Sequence, residues 1–114
     1  MEFRTRESKN VTVVDLKGVI TFGAGATTLR ELIRDLLAKG KKKILLNLAD
    51  ITYIDSSGIG EMVHAYTSVT RDGGELKLLN LTKNIHDQFE ITKLATVFDI
   101  TADESAAVAS FKRD

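Results

Sequence analysis

The sequence of 114 residues contains no cysteine and no proline, and its charges cancel. Without cysteine, the chain can form neither a disulfide nor a thiolate metal site, and it has no cysteine nucleophile. This suits a reducing cytoplasm, which is where we expect the protein to reside. Because 16 basic residues balance 16 acidic ones, there is no bulk electrostatic attraction to nucleic acid or to anionic lipid, and we expect no direct nucleic acid binding.

Long hydrophobic runs are also missing. No apolar stretch approaches the roughly 20 residues of a membrane-spanning helix, and charged residues occupy the first positions in place of a signal peptide. We therefore expect no membrane insertion. The apolar fraction of 43% is ordinary for a globular protein, and the sequence shows no linker, repeat or low-complexity segment. A single domain over residues 1–114 is the simplest organisation for a chain of this length.

Hydrophobic spacing predicts strands that alternate with helices. Residues 3–6 and 11–17 are predicted to form an antiparallel pair of strands, followed by a flexible segment at 18–25 with a short strand at 19–21. The apolar positions from Leu29 to Leu37 have helical spacing. The residues Ile44, Leu45, Leu46 and Leu48 form an apolar run without alternation, which predicts a central strand that is buried on both faces and followed by a connector over 49–54.

The second half of the chain continues this alternation, with one predicted element after another. These are a helix from about Ile59 to Val69, a strand over 76–79, a helix capped by Thr82, a strand over 97–100, and a terminal helix opened by a capping box at Thr101 and Glu104. The order is β-β-α-β-α-β-α-β-α. It predicts an α/β domain in which a small mixed, largely parallel sheet with one antiparallel edge strand packs with about four helices.

The segment Asp55-Ser56-Ser57-Gly58-Ile59-Gly60 lies where the central strand region ends and the second helix begins. Helix N-termini carry unpaired N–H groups and a positive dipole end, so an anionic group is well placed there. A serine at such a position fits three roles: a helix cap, a nucleophile or a phosphoacceptor.

The two glycines argue for more than capping. A cap by Ser56 or Ser57 would contribute about 1 kcal/mol, whereas Gly58 and Gly60 each cost up to about 1 kcal/mol relative to alanine in the first helical turn. Small residues there leave the helix start bare, so that another backbone or a phosphate can approach closely. Relief of packing against a neighbouring strand is the other explanation.

An enzymatic role finds little support in the sequence. The serines lack the preceding glycine of a nucleophile elbow, and His64 lies more than about 10 Å along the same helix. His86 falls on the third helix with no orienting carboxylate behind it. The histidines and acids show no metal-ligand spacing, and no phosphate-binding loop is present. We therefore predict no enzymatic activity, no metal and no cofactor, and favour a regulated serine on a docking surface.

The segment KILLNLADITYIDSSGIG, residues 43–60, resembles the signature of the bacterial anti-sigma-factor antagonist family, the STAS domain family. The segments GGELKL at 73–78, ITKL at 91–94 and VFDI at 97–100 resemble later parts of the same family. The similarity covers nearly the whole chain. It implies a small sheet backed by helices, in agreement with the element order predicted from hydrophobic spacing.

The resemblance also implies a function. It places the phosphoacceptor at Ser56, the serine directly after the aspartate. The unmodified form would bind an anti-sigma factor that is also a serine protein kinase, releasing a sigma factor and so regulating transcription. Phosphorylation would free the kinase, and a separate serine phosphatase would reset the switch.

A partner-binding surface follows from the same resemblance. It comprises Asp55, Ser56, Ser57, Gly58, Ile59, Gly60 and Met62, together with Thr21 and Phe22 in the loop after the second strand. That loop departs from the family pattern, because residues 18–25 contain no acidic residue. The departure leaves open a second interpretation, a non-switching STAS scaffold or an accessory subunit of a signalling assembly or membrane transporter. The sequence does not fix the oligomeric state.

Overall fold

The computed structural model describes residues 1–113, in which five strands and four α-helices follow the predicted order. The elements are β1 (Glu2–Ser8), β2 (Val11–Ile20), α1 (Ala24–Ala38), β3 (Lys43–Ile54), α2 (Ser56–Arg71), β4 (Glu75–Leu79), α3 (Lys83–Ile91), β5 (Asp99–Thr101) and α4 (Glu104–Ala109). One turn of 3-10 helix, Leu94–Thr96, precedes β5. The predicted mixed α/β fold is confirmed.

The strands form one sheet in the order β1-β2-β3-β4-β5. β1 is antiparallel to β2, and the other neighbours are parallel, as the sequence predicted. Parallel strands end at the same edge of a sheet, and here the last residues of β2 and β3, Ile20 and Ile54, are register partners. The segments that follow these two strands therefore begin side by side.

Apolar clusters cover both faces of the sheet. Helices α1, α2 and α3 pack on one face, where Val14 and Leu46 are buried. Helix α4 packs on the other face, where Val13 and Leu45 are buried beneath Val108. Neighbouring residues of β3 thus point into different clusters, which explains why Ile44, Leu45 and Leu46 are apolar without alternation.

The strands β2 and β3 are longer than predicted. The proposed connector at 49–54 is the second half of β3, and residues 18–20 belong to β2. The two extensions pair with each other, but the ladder contains irregularities between Asp15 and Lys17 and between Gly18 and Val19. Such bulges shift the side-chain alternation, so the strand pattern is lost from the sequence at this point.

Two details near the C-terminus also differ from prediction. The N-cap of α4 is Asp103, whose carboxylate accepts a hydrogen bond from Ala106 N–H, and not Thr101 in a capping box with Glu104. The carboxylate of Glu104 is instead hydrogen bonded to the Arg6 guanidinium. In addition, residues 97 and 98 lie before β5, and Phe98 packs edge-on against Tyr66 with ring centroids 5.3 Å apart.

Arg6 joins both ends of the described chain. Its Nε lies 2.8 Å from Asp15 Oδ2 and its Nη2 lies 2.7 Å from Glu104 Oε1, so β1, β2 and α4 share one ionic cluster. The hydrogen bonds from Arg6 lower the pKa of Asp15 and of Glu104. Both carboxylates therefore stabilise the folded state while they are ionised.

Acidification is expected to remove this contribution. Because both pKa values are lowered by folding, the stabilisation is complete above their ordinary values of about 4 and is lost as the pH falls below them. Arg6→Ala should cost about 1 kcal/mol at pH 7, since the cluster is largely solvent-exposed, and should flatten the fall in unfolding free energy from about pH 5 to pH 3. Urea unfolding across this range measures both effects.

The control is Arg4→Ala. Arg4 lies opposite Asp15 on β1 and acts on its pKa through charge alone. This variant should keep a pH profile close to that of the wild type. Identical profiles for Arg6→Ala and the wild type would contradict the assignment.

Candidate functional site

The Ser56 region is built where β2 and β3 end together. Asp55 N–H donates to the carbonyl oxygen of Ile20 at 3.3 Å, which continues the contact between the two strands by one residue. Ser56 is the first residue of α2 and is exposed to solvent. The β2–α1 loop (residues 21–23) lies beside it, so the structure brings together the two segments that the predicted surface requires.

Asp55, and neither serine, caps helix α2. Its backbone is extended, with φ −94° and ψ −176°, and its Oδ1 accepts a hydrogen bond from Gly58 N–H at 2.8 Å. Of the three roles considered for the serines, that of helix cap is wrong, because the aspartate one residue earlier occupies the cap position. A stability role for the Ser57 hydroxyl as a cap is removed by the same observation.

The second carboxylate oxygen of Asp55 makes its hydrogen bond outside helix α2. Oδ2 accepts a hydrogen bond from Phe22 N–H at 2.9 Å, across 33 positions of sequence. The N–H groups of Phe22 and Gly58, in that order, lower the pKa of Asp55. We call this pair of hydrogen bonds the Asp55 bridge.

The two glycines of the motif have different surroundings. Gly58 is buried, and a Cβ atom there would overlap the carbonyl oxygen of Ile20 and lie 2.8 Å from Ile54 Cγ2. Gly60 is exposed, and a Cβ atom there would meet nothing within 4 Å. Packing against a neighbouring strand thus explains Gly58, whereas Gly60 leaves the outer side of the first helical turn bare.

The residues predicted to bind a partner differ in their exposure to solvent. Phe22, Ser56 and Gly60 are exposed; Thr21, Asp55, Ser57 and Ile59 are partly buried; Gly58 and Met62 are buried. Met62 has no exposed surface and belongs to the core beneath α2. A partner packed over Gly58, Ile59 and Met62 would therefore not reach the Met62 side chain in this conformation, since Gly58 and Met62 lie one helical turn apart on the face turned towards the sheet.

Sequence reasoning missed three exposed apolar side chains on adjoining elements. Val19 and Tyr53 are register partners at the ends of β2 and β3, and Tyr53 is 52% exposed. Ile91 on α3 is 82% exposed and lies one turn beyond Gln88, whose side-chain amide donates to the carbonyl oxygen of Ile54 at 2.8 Å. The exposure of Val19 and Tyr53 could not be predicted, because the irregular pairing of β2 and β3 disturbs the alternation of side chains in the sequence. Ile91 carried a signal, because it lies off the stripe of Ile85 and Phe89.

We define the apolar rim as Val19, Phe22, Tyr53 and Ile91. Phe22 is the most prominent loop member, with 82% of its surface exposed. Isolated exposed apolar residues are ordinary, so the exposure of these four side chains does not by itself mark an interaction surface.

The histidines do not join this site. His64 Nδ1 lies 3.9 Å from Glu61 on α2, and His86 Nε2 lies 3.8 Å from Glu90 on α3. Over residues 1–113, no cluster of three or more potential metal ligands is found. Within the same range, no helix has the length and apolar character needed to cross a membrane. Among the described residues, no side-chain base is hydrogen bonded to the Ser56 hydroxyl, as activation of a nucleophile would require.

Comparisons with known proteins agree with this architecture. Residues 2–107 match the STAS domain family. The anti-sigma-B factor antagonist of Bacillus subtilis is 33% identical over 103 residues, covering 90% of this chain and 93% of that protein. BtrV of Bordetella bronchiseptica, named as an anti-sigma factor antagonist, is 29% identical over 85% of this chain and 83% of that protein.

A crystal structure from Thermotoga maritima, described as that of an anti-sigma factor antagonist, matches the fold with a TM-score of 0.89. It is 24% identical in sequence and covers 97% of this chain and 95% of its own. At that identity the likeness concerns the fold, and the match to residues 2–107 carries the family assignment. The chain therefore belongs to the STAS domain family and is a homologue of anti-sigma factor antagonists.

Proposed function

We propose that this protein is an anti-sigma factor antagonist that switches partners when Ser56 is phosphorylated. Unmodified, it binds an anti-sigma factor that is also a serine protein kinase, and so releases a sigma factor for transcription. Phosphorylation by that kinase ends the complex, and a serine phosphatase restores the binding form. The observation that carries the proposal is the solvent-exposed position of Ser56 at the start of α2, within the family motif.

The site suits a phosphate without unfolding the helix. Phosphorylation adds about −1.5 to −2 charges and three acceptor oxygens, and the start of α2 offers a positive dipole end. The neighbouring carboxylate of Asp55 is already bonded to Phe22 and Gly58 and adds like charge. We therefore expect the phosphate to remain in solvent, where it can act on a docked partner.

The apolar rim gives the docking surface its hydrophobic part. In the proposal, the partner contacts the exposed or partly exposed members of the original set, Thr21, Asp55, Ser56, Ser57, Ile59 and Gly60, and also the apolar rim. Apolar residues of this kind bind a partner because contact removes their surface from water. A phosphate dianion on Ser56 among them would lose its own water when the partner binds, which is unfavourable. The hydrophobic contacts of the apolar rim therefore favour partner binding, whereas the charge of a phosphate on Ser56 opposes it.

The protein acts in this scheme as the substrate of a kinase and performs no catalysis. It binds no nucleic acid directly and works in the cytoplasm as a single domain. The balanced charge and the lack of an activated nucleophile at Ser56 support this proposal.

A STAS scaffold or accessory subunit is the second candidate. The β2–α1 loop favours it, because the loop lacks an acid and exposes Phe22. A pull-down from the native host separates the two candidates. Recovery of a serine kinase supports the switch, whereas recovery of a transporter subunit or a large homo-assembly supports the scaffold.

Phosphate mapping tests the switch directly. Incubation with ATP and a candidate anti-sigma factor kinase, followed by mass spectrometry, should locate one phosphate on Ser56. The modification should disappear in Ser56→Ala and persist in Ser57→Ala. Phosphate on Ser57 would move the site by one residue, and a protein that no host serine kinase modifies would contradict the switch.

A further inference from the structure

The Asp55 bridge links the two segments of the site through one side chain. Oδ1 holds the start of α2 through Gly58 N–H at 2.8 Å, and Oδ2 holds the β2–α1 loop through Phe22 N–H at 2.9 Å. Hydrogen bonds to an ionised carboxylate are shorter and stronger than those between neutral groups. The residue next to Ser56 is therefore bonded to the loop that carries the most exposed aromatic ring.

Packing does not determine where Phe22 lies. Its side chain is 82% exposed, and it takes part in neither of the two ring–ring contacts found among residues 1–113. The flanking residues are fixed through their carbonyl groups, since Thr21 accepts from Ala26 N–H and Gly23 accepts from Thr27 N–H. Between them, the hydrogen bond to Asp55 is the contact made by the Phe22 backbone N–H.

We propose that Asp55 is the positioning residue of the docking surface: it holds Phe22 in place, and charge added to Ser56 reaches Phe22 through it. This inference rests on the proposed function for its biological use. A negative group on Ser56 stays in solvent but lies beside the Asp55 carboxylate and repels it. This repulsion weakens the hydrogen bond from Phe22 N–H to Asp55, so the backbone that carries the aromatic ring is held less firmly.

Phe22 accordingly determines specificity in this arrangement. An aromatic side chain on a backbone held by this hydrogen bond fits a partner that offers an apolar pocket, and such anchors contribute most of the binding energy of an interface. The switch would then act in two ways, through repulsion at Ser56 and through loss of a preorganised anchor at Phe22.

Nuclear magnetic resonance of the 15N-labelled full chain tests the coupling without a partner or a kinase. In the wild type, the Phe22 amide should exchange slowly with solvent, and Ser56→Asp should shift its resonance. In Asp55→Ala, exchange at Phe22 should accelerate at least tenfold, and adding Ser56→Asp should no longer move the resonance. Asp55→Asn, which keeps an acceptor oxygen, should restore part of the protection and secures the test if Asp55→Ala does not fold.

Asp103→Ala is the matched control, because Asp103 caps α4 in the same way on the other face of the sheet. It should leave the Phe22 amide unchanged. The inference is overturned if Phe22 exchanges equally fast in the wild type and in both Asp55 variants, or if Ser56→Asp shifts Phe22 equally with and without Asp55. Failure of kinase labelling at Ser56 would remove the proposed function while leaving this measured coupling intact, so the two failures are distinguishable.

Discussion

Gly58→Ala is expected to lower the free energy of unfolding by about 2 kcal/mol or more. The added Cβ would overlap the carbonyl oxygen of Ile20, a backbone atom that cannot rotate away, and would also press on Ile54. Alanine improves helix propensity by about 1 kcal/mol, which is smaller than the cost of this overlap. Urea unfolding at pH 7 measures the change.

Gly60→Ala is the matched control for this prediction. It makes the same substitution in the same helical turn, but its Cβ meets nothing within 4 Å. Stability should therefore rise by up to about 1 kcal/mol through helix propensity. Equal effects at the two glycines would mean that α2 does not pack on the end of β2 as described.

Phosphorylation of Ser56 is expected to weaken binding of the anti-sigma factor kinase by at least tenfold. A tenfold loss needs only about 1.4 kcal/mol, whereas burying an unpaired charge costs several kcal/mol. Ser56→Ala should retain affinity, and Ser56→Asp should show part of the loss, since it adds a single charge. Isothermal titration calorimetry on the four forms gives the comparison.

Ser105→Asp provides the matched charge control. Ser105 is exposed in the first turn of α4, which packs on the opposite face of the sheet. The same added charge there should leave partner affinity unchanged. Unaltered affinity in genuine Ser56 phosphoprotein would count decisively against a phosphorylation switch, whatever Ser56→Asp shows.

Patterns of hydrophobic spacing were sufficient to predict the layers of the fold. The apolar residues Ile44, Leu45, Leu46 and Leu48 identified the central strand because both of its faces are buried. The same reasoning failed at 49–54, where irregular pairing with β2 disturbs the alternation on which strand prediction depends. The ends of β2 and β3 were therefore predicted too early, at the point where the pairing of the two strands becomes irregular.

The arrangement inside the Asp55–Gly60 motif was harder to predict. Asp55, Ser56 and Ser57 are all good N-cap residues, so composition cannot choose among them, and only the backbone conformation does. Gly58 and Gly60 are likewise equivalent in sequence. They differ because the end of β2 lies over one of them and not the other, which is a tertiary fact. The hydrogen bond between Asp55 and Phe22 has the same origin.

The ionic cluster at Arg6 has a consequence for how the molecule could be shortened or opened. Within residues 1–113, α4 and the following Phe111 cover the sheet face that contains Val13 and Leu45, and Arg6 of β1 holds α4 there through its ion pair with Glu104. Deleting either β1 or α4 would therefore weaken the packing of α4 on this face of the sheet. The exposed apolar face would then promote self-association at a surface that does not include Ser56. Aggregation of a truncated protein would therefore give no information about the role of Ser56.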